Sequence, residues 1–405
     1  DLHSTNNKMR IDMSTKIVSE ARNIHGIILV LAAIMPAMAI ISLVPVMPLL
    51  GREFAGVSGS EALVPIALTI PALCVALFSP LAGWLSDRIG RKMLLFFSLL
   101  GYAVIGTIPF FLTDLKQIIG ARFGLGVFEA VIMTVATALV GDYFKGAARE
   151  KWIGIQIGVV SLSAIVLIAI GGALGETLGS RGPFLLYLMA IPIALLVLWK
   201  LFEPAVIEKN SDSKGVLPWR SLLPLLFITL GVGIFFYTTI VKLGDILLLV
   251  QDASPAIIGA VGAAFNFGVM IGAVTFTKLK VLSPGPKPLA IGMALFALGY
   301  GGMGLSSALS ITTVFAIVTS LGAGMLLPCT LAWTMSILSP SVRGRGTGLW
   351  TGMFFLGQFI APLVVVMLDQ PLGGLKNVLL VYGATAAVLM LVTLLVTRGA
   401  SPFKG

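Results

Sequence analysis

The sequence predicts an all-α membrane protein with twelve transmembrane helices in two six-helix bundles, and three observations carry that prediction. First, 58% of the 405 residues are hydrophobic and only 11% are charged, too little polar surface to coat a soluble globule of this size. Second, apolar runs of roughly 20 residues recur from Ile27 to Val396, and a bilayer core about 30 Å thick needs about 20 helical residues per crossing. Third, the longest polar stretch between these runs, about 203–220, divides them six and six, as a boundary between two bundles would.

In order, the spans fall near 27–50, 62–84, 93–112, 117–141, 151–175, 183–202, 221–250, 257–277, 288–308, 311–338, 346–368 and 377–397. The chain thus divides into an N-terminal tail (1–26), a first bundle (27–202), a linker (203–220), a second bundle (221–397) and a C-terminal tail (398–405). Pro36, Pro45 and Pro48 in the first span and Pro224 in the seventh withdraw helix hydrogen bonds and allow bends. Glycine is dense in the fifth span (Gly154, Gly158, Gly171, Gly172, Gly175) and the eighth (Gly259, Gly262, Gly268, Gly272). Small residues there are expected to let helices pack closely, since lipid gives no hydrophobic drive for association. A weak repeat relates Arg149 and Gly154 at the start of the fifth span to Arg343 and Gly348 at the start of the eleventh, as two parallel bundles around a central cavity would.

The net charge of +10 does not indicate a nucleic-acid partner, because the cations are spread over short loops and not gathered in one stripe. Of 27 Lys and Arg, 21 lie in the two tails and the even-to-odd connections, while only Arg52, Lys116, Arg181 and Lys376 lie on the other side. The positive-inside rule therefore places both termini in the cytoplasm, in a multi-pass protein expected in a bacterial inner membrane. Segment 1–22 has no apolar signal region and does not start with Met, so part of it is expected to be non-native, with Met9 or Met13 the natural start. Cys74 and Cys329 sit in different apolar runs and read as small core residues. Neither His3 nor His25 belongs to a metal-binding or catalytic cluster, and no nucleotide-binding glycine loop is present, so no cofactor, metal or catalytic residue is expected.

The loop between the second and third spans reads Gly83-Trp84-Leu85-Ser86-Asp87-Arg88-Ile89-Gly90-Arg91-Lys92. Its pattern Gly-x-x-x-Asp-Arg-x-Gly-Arg-Lys resembles the signature loop of the major facilitator superfamily of secondary transporters, and the resemblance extends over the whole twelve-span chain. It implies a gating role for Gly83, Asp87, Arg88, Gly90, Arg91 and Lys92, with Asp87 and Arg91 latching the outward-facing state and Asp142 and Arg149 as candidate partners. The corresponding second-half loop, Thr277 to Lys287, keeps positive charge but loses the Gly and Asp pattern, so the latch is expected to be asymmetric.

The fourth span carries Arg122 and Glu129 inside apolar sequence and resembles the family's second motif, in which an Arg is tied to proton coupling. Seven residues apart, the two share a helix face about 10 Å along the axis. A charge at mid-bilayer is costly unless it faces a cavity or a partner. A low-dielectric surround disfavours the Glu129 charge and a nearby guanidinium favours it, so conformation can switch its protonation. Asp245 joins Arg122 and Glu129 as a proton-coupling candidate; it lies three residues from Lys242, which either pairs with it at the outer interface or lines the cavity. Tyr237, Asn266, Trp350 and Gln358 complete the candidate cavity lining, with Arg122, Glu129 and Lys242.

The fifth span departs from the pattern of drug-proton antiporters, since Leu167-Ile168 stand where those proteins carry Gly-Pro, although Gly171-Gly172 follow and Ala361-Pro362 occupies the equivalent place in the eleventh span. Three readings stand on these residues. The first is a monomeric proton-coupled transporter that exports small amphipathic molecules by alternating access; the second is proton-linked uptake of an organic anion; the third is a non-transporting receptor on the same scaffold.

Overall fold

Glycine and proline decide where the helices stop. A computed structural model of the chain describes residues 21–204, 216–282, 287–339 and 342–396. The first span is α1 (Asn23–Ile41), a 3₁₀ turn (Val44–Val46) and α2 (Met47–Glu53). Pro45 and Pro48 lack the N–H that a continuous helix needs there, so the expected single helix over 27–50 is broken. Then follow α3 (Ser60–Ile89), α4 (Arg91–Thr107), α5 (Leu115–Tyr143) and α6 (Gly146–Leu178). The sixth span starts as a 3₁₀ segment, Gly179–Met189, and continues as α7 (Ala190–Lys200).

In the second half, the seventh span is α8 (Trp219–Val241) with a short α9 (Leu243–Leu248). Pro224 lies inside α8, which runs unbroken through it, and the interruption of this span falls at Lys242. The remaining spans are α10 (Pro255–Leu282), α11 (Lys287–Leu305), α12 (Leu309–Ser336), α13 (Arg343–Leu372) and α14 (Leu375–Val396).

Eleven helical runs among the described residues are long and apolar enough to cross a membrane. One of them, Lys151–Lys200, has 50 residues, about 75 Å if straight and far more than one crossing needs. It turns back at Gly179, whose φ of +73° suits only glycine. α6 then packs on α1 and α10, and α7 on α4. The run therefore supplies two crossings, and the total is the twelve that the hydropathy predicts.

The halves repeat each other in side-chain detail. In the first, the Tyr102 hydroxyl of α4 donates to the Met35 carbonyl of α1, and the Tyr102 ring stands 5.3 Å from Tyr187. In the second, the Tyr300 hydroxyl of α11 donates to the Phe235 carbonyl of α8, and its ring stands 5.2 Å from Tyr382. The same pair of helices is pinned by the same residue type in both, as a parallel internal repeat requires.

The halves meet along α6 with α10 and α3 with α13. A Cβ placed on Gly172 would lie 2.7 Å from the Pro255 carbonyl oxygen and 3.2 Å from the Gly259 Cα, while one on Gly171 would strike the Ser42 carbonyl. These backbone contacts confirm close packing for the outer ends of α6 and α10. Gly154 and Gly158 do not share it: their Cβ positions meet nothing within 4 Å, and Gly348 in the eleventh span is equally open. Close packing expected of them from glycine density alone is thus corrected.

Candidate functional site

Arg122 is 1% exposed in the middle of the first half. Its Nε donates to the Ala67 carbonyl at 2.9 Å, Nη1 to the Tyr187 hydroxyl at 2.5 Å, and Nη2 to the carbonyls of Ala39 at 2.6 Å and Leu68 at 3.0 Å. The local sequence explains why those carbonyls are available. Residue Pro71 lies four positions after Ala67 and has no N–H to offer it. Ala39 lies in the last turn of α1, where the Leu43 N–H turns instead to Ile40. Arg122 therefore ties α5 to α1, α3 and the sixth span; its donors serve the protein and do not face a cavity.

Glu129, two turns along α5, is 3% exposed, and its Oε2 is buried with no hydrogen-bond partner. A polar atom in that state is costly and marks a place where a ligand, proton or water completes the site. The carboxyl group lies within electrostatic range of the Tyr237 hydroxyl on α8, in the other half. Tyr237 packs 5.2 Å from the Phe354 ring of α13, which stacks on Trp350 at 5.8 Å with planes 8° apart. Trp350, Phe354 and Gln358 follow at four-residue steps and share one stripe of α13. Gln358 is 3% exposed, and its Oε1 also has no partner. Three of the sequence candidates, Tyr237, Trp350 and Gln358, thus lie along the packed α8 and α13 helices of the second half, and Glu129 of the first half stands within electrostatic range of the first of them.

The other cavity candidates lie elsewhere or are engaged. The Asn266 amide donates to the Gly262 carbonyl of its own helix at 2.9 Å, and the Trp350 indole N–H donates to the Thr330 hydroxyl at 3.2 Å. Lys242 pairs with Asp245 at 2.8 Å. Both line a bowl of about 520 Å³ at the end of the molecule opposite the 83–92 loop, together with Glu61, Asp369 and Gln370. Lys242 and Asp245 thus meet both expectations at once, forming an ion pair and lining this cavity.

At the end of the bundle that carries the 83–92 loop, Arg91 forms an ion pair with Asp142 of α5. Arg88 lies 4.1 Å over the Trp84 ring, a cation–π contact at the surface. Arg149 is exposed, with its Nη2 3.4 Å from where a Gly141 Cβ would be, at the end of the same helix that carries Asp142. Gly83 faces Thr134 of α5 at ordinary contact distance. The side chain of Asp87 lies outside the described residues, as do much of the 277–287 loop, linker residues 205–215 and both tail ends (1–20 and 397–405).

Sequence reasoning missed Glu203. Its Oε1 accepts from the Arg91 backbone N–H at 2.5 Å and its Oε2 from that of Lys92 at 2.9 Å. A carboxylate there satisfies two orphan donors and complements the helix dipole at the start of α4. The approach requires Gly90, whose φ of +99° and ψ of 144° are closed to side chains and whose Cβ would sit 3.2 Å from the carboxylate. Gly90→Ala is expected to destabilise the protein by about 1–3 kcal/mol, read as a lower melting temperature in detergent. An unchanged melting temperature would mean the loop relaxes freely. The signal available in the sequence was an acidic residue directly after the sixth span, in Phe202-Glu203-Pro204.

Several known proteins resemble this chain in sequence or in fold. The chain is 31% identical over 171 residues to the class H tetracycline resistance protein of Pasteurella multocida, covering 42% of each. It is 27% identical over 356 residues to the class E tetracycline resistance protein of Escherichia coli, covering 82% of this chain and 84% of that one. The chain spans about half the length, or less, of several curated relatives it matches. Among solved structures, a POT peptide transporter in complex with sulfate superposes with a TM-score of 0.77 at 15% identity, over 95% of this chain and 97% of that one. At that identity the likeness concerns the fold alone. A family profile described as Major Facilitator Superfamily matches residues 29–251 and 225–404, and with twelve helices in two repeated halves the chain belongs to that superfamily of membrane transporters.

Proposed function

We propose that the chain is a proton-coupled exporter of small amphipathic organic molecules, working by alternating access between its two halves. The observation that carries the proposal is the buried Glu129 carboxyl, 3% exposed in the fourth span with one oxygen that has no hydrogen-bond partner. A group in that position can take a proton from one side and give it to the other as the halves rock, with Asp245 at the outer bowl as a second titratable station. The two tetracycline resistance relatives support export as the direction. Arg122 and Lys242, the cations an anion importer would need, are both engaged within the protein, which weighs against uptake of an organic anion.

Distribution of positive charge supports cytoplasmic termini, and the bacterial relatives support an inner membrane. Asp87, Arg91, Asp142 and Arg149 are the proposed cytoplasmic latch, with Gly83, Arg88, Gly90 and Lys92 shaping its loop. Glu203 holds the start of α4 beneath it. The test is flux of tetracycline in proteoliposomes with an imposed pH gradient. Uphill movement that runs against the proton flow and stops with an ionophore is expected; gradient-independent flux, or none, would overturn the proposal.

A further inference from the structure

His25 plays no part in the transport reading, yet it is 8% exposed and fully engaged. It stands in the first turn of α1, three residues after Arg22. Its Nδ1 accepts from the Arg22 backbone N–H at 2.9 Å, while its own backbone N–H donates to the Arg22 carbonyl at 3.0 Å. That first bond is the one a Glu or Gln makes in a capping box, here made by an imidazole. A ring nitrogen that accepts carries no proton, so the cap needs the neutral ring. Protonation turns Nδ1 into a donor facing a donor and strands the Arg22 N–H.

The ring also lies edge-on to two aromatic partners, 5.7 Å from Tyr143 at the end of α5 and 5.4 Å from Phe202 just after α7. Those two stack on each other at 4.4 Å, and the Tyr143 hydroxyl donates to the Phe202 carbonyl and accepts from its N–H at 3.1 Å. Each is next in sequence to a residue that holds the 83–92 loop. Asp142 pairs with Arg91, and Glu203 takes the backbone N–H groups of Arg91 and Lys92. A Cβ on Gly26 would strike the Trp152 ring of α6, so the start of α1 is closely seated. The charged and titratable groups around the ring are Arg22 on its own helix, Tyr143 from α5, the exposed Lys151 on α6, Lys200 in the last turn of α7 and Glu203 just beyond. Three of these are cations against one carboxylate, so the surroundings resist a charge on the ring.

We propose that His25 is a proton-sensitive seat for the latch: neutral, it caps α1 and packs Tyr143 and Phe202 so that Asp142 and Glu203 meet the loop; protonated, it gives up the cap and lets them part. Acid at this end of the molecule frees the loop, and the neutral ring holds it. The switch rests on the latch proposed above.

The test uses Ser86→Cys, at a position 3% exposed in the last turn of α3 just before the loop, alkylated by a maleimide in the full chain in detergent, with and without His25→Asn. Cys74 and Cys329, 0% and 1% exposed, give the background, measured on the chain that keeps Ser86. Asparagine keeps an acceptor for the Arg22 N–H and takes no proton in this range. Comparing the two proteins at the same pH cancels the titration of the thiol itself. Equal rates are expected at about pH 8, and labelling about fivefold faster with His25 present at about pH 5.5, the size that loss of one cap hydrogen bond implies. His25→Gln is expected to behave as the asparagine variant does. A rate ratio that stays flat over this range, or one that departs from unity at the higher pH with both variants, would overturn the switch. Asp142→Asn is expected to speed labelling at either pH. If it does so while the His25 ratio stays flat, the latch stands and the switch falls; no effect of Asp142→Asn would overturn the latch and the switch with it.

Discussion

Glu129→Gln is expected to reduce proton-driven flux to the level of vesicles without protein, while substrate exchange down its own gradient continues. The substitution keeps the shape of the side chain and one acceptor oxygen but removes the site that binds and releases a proton. The carboxyl is 3% exposed, and on the proposed mechanism its protonation follows whether the halves are closed over it. A protein locked in the neutral form can still rock and still carry substrate, but rocking no longer moves a proton. The measurement is accumulation in everted vesicles over a range of imposed pH gradients, alongside substrate counterflow at equal pH. Accumulation that keeps its pH dependence would remove Glu129 as the coupling residue; loss of counterflow as well would mean that the residue holds the fold or the ligand and not the proton.

The second large effect is structural. Arg122→Ala strands the carbonyls of Ala67 and Ala39 inside the first half, since Pro71 has no N–H and the Leu43 N–H turns to Ile40, and it takes one partner from the Leu68 carbonyl. Abandoned buried polar groups cost roughly 1–3 kcal/mol each, enough together to exhaust the margin of a typical protein. Folded yield after extraction is expected to collapse, as seen by size-exclusion profile and melting temperature. Arg122→Lys is expected to be intermediate: a single ammonium carries the charge but lacks the planar fork that reaches α1, α3 and Tyr187 at once. A well-folded alanine variant that merely lost proton coupling would show that the residue acts on the proton and not on the helix joints.

How much of this was legible in the sequence follows from what a bilayer demands. Crossing length is imposed by the lipid, so the spans could be read residue by residue, and the signature from Gly83 to Lys92 placed the fold. Glu129, Tyr237, Trp350 and Gln358 were legible because polar or amphipathic side chains in apolar sequence stand out. Arg122 stood out equally, yet its partners are carbonyls, and a carbonyl has no letter of its own. Only Pro71, four residues after Ala67, hints that one is free. The break at Lys242 was hidden because no proline marks it and Gly244, two residues on, lies within the next short helix. Glu203 was overlooked because its work is done through backbone N–H groups more than 100 residues away in the chain.

The contact of Gly172 with Gly259 has one more consequence. Where two helices touch backbone to backbone, no interlocking side chains must be pulled apart when one half turns against the other. Such a joint behaves as an axle: the surfaces can roll while staying in touch, and the large excursions are displaced to the far ends of α6 and α10. A single bulky residue at either glycine would act as a wedge in that axle, altering how far the machine swings without touching anything it carries.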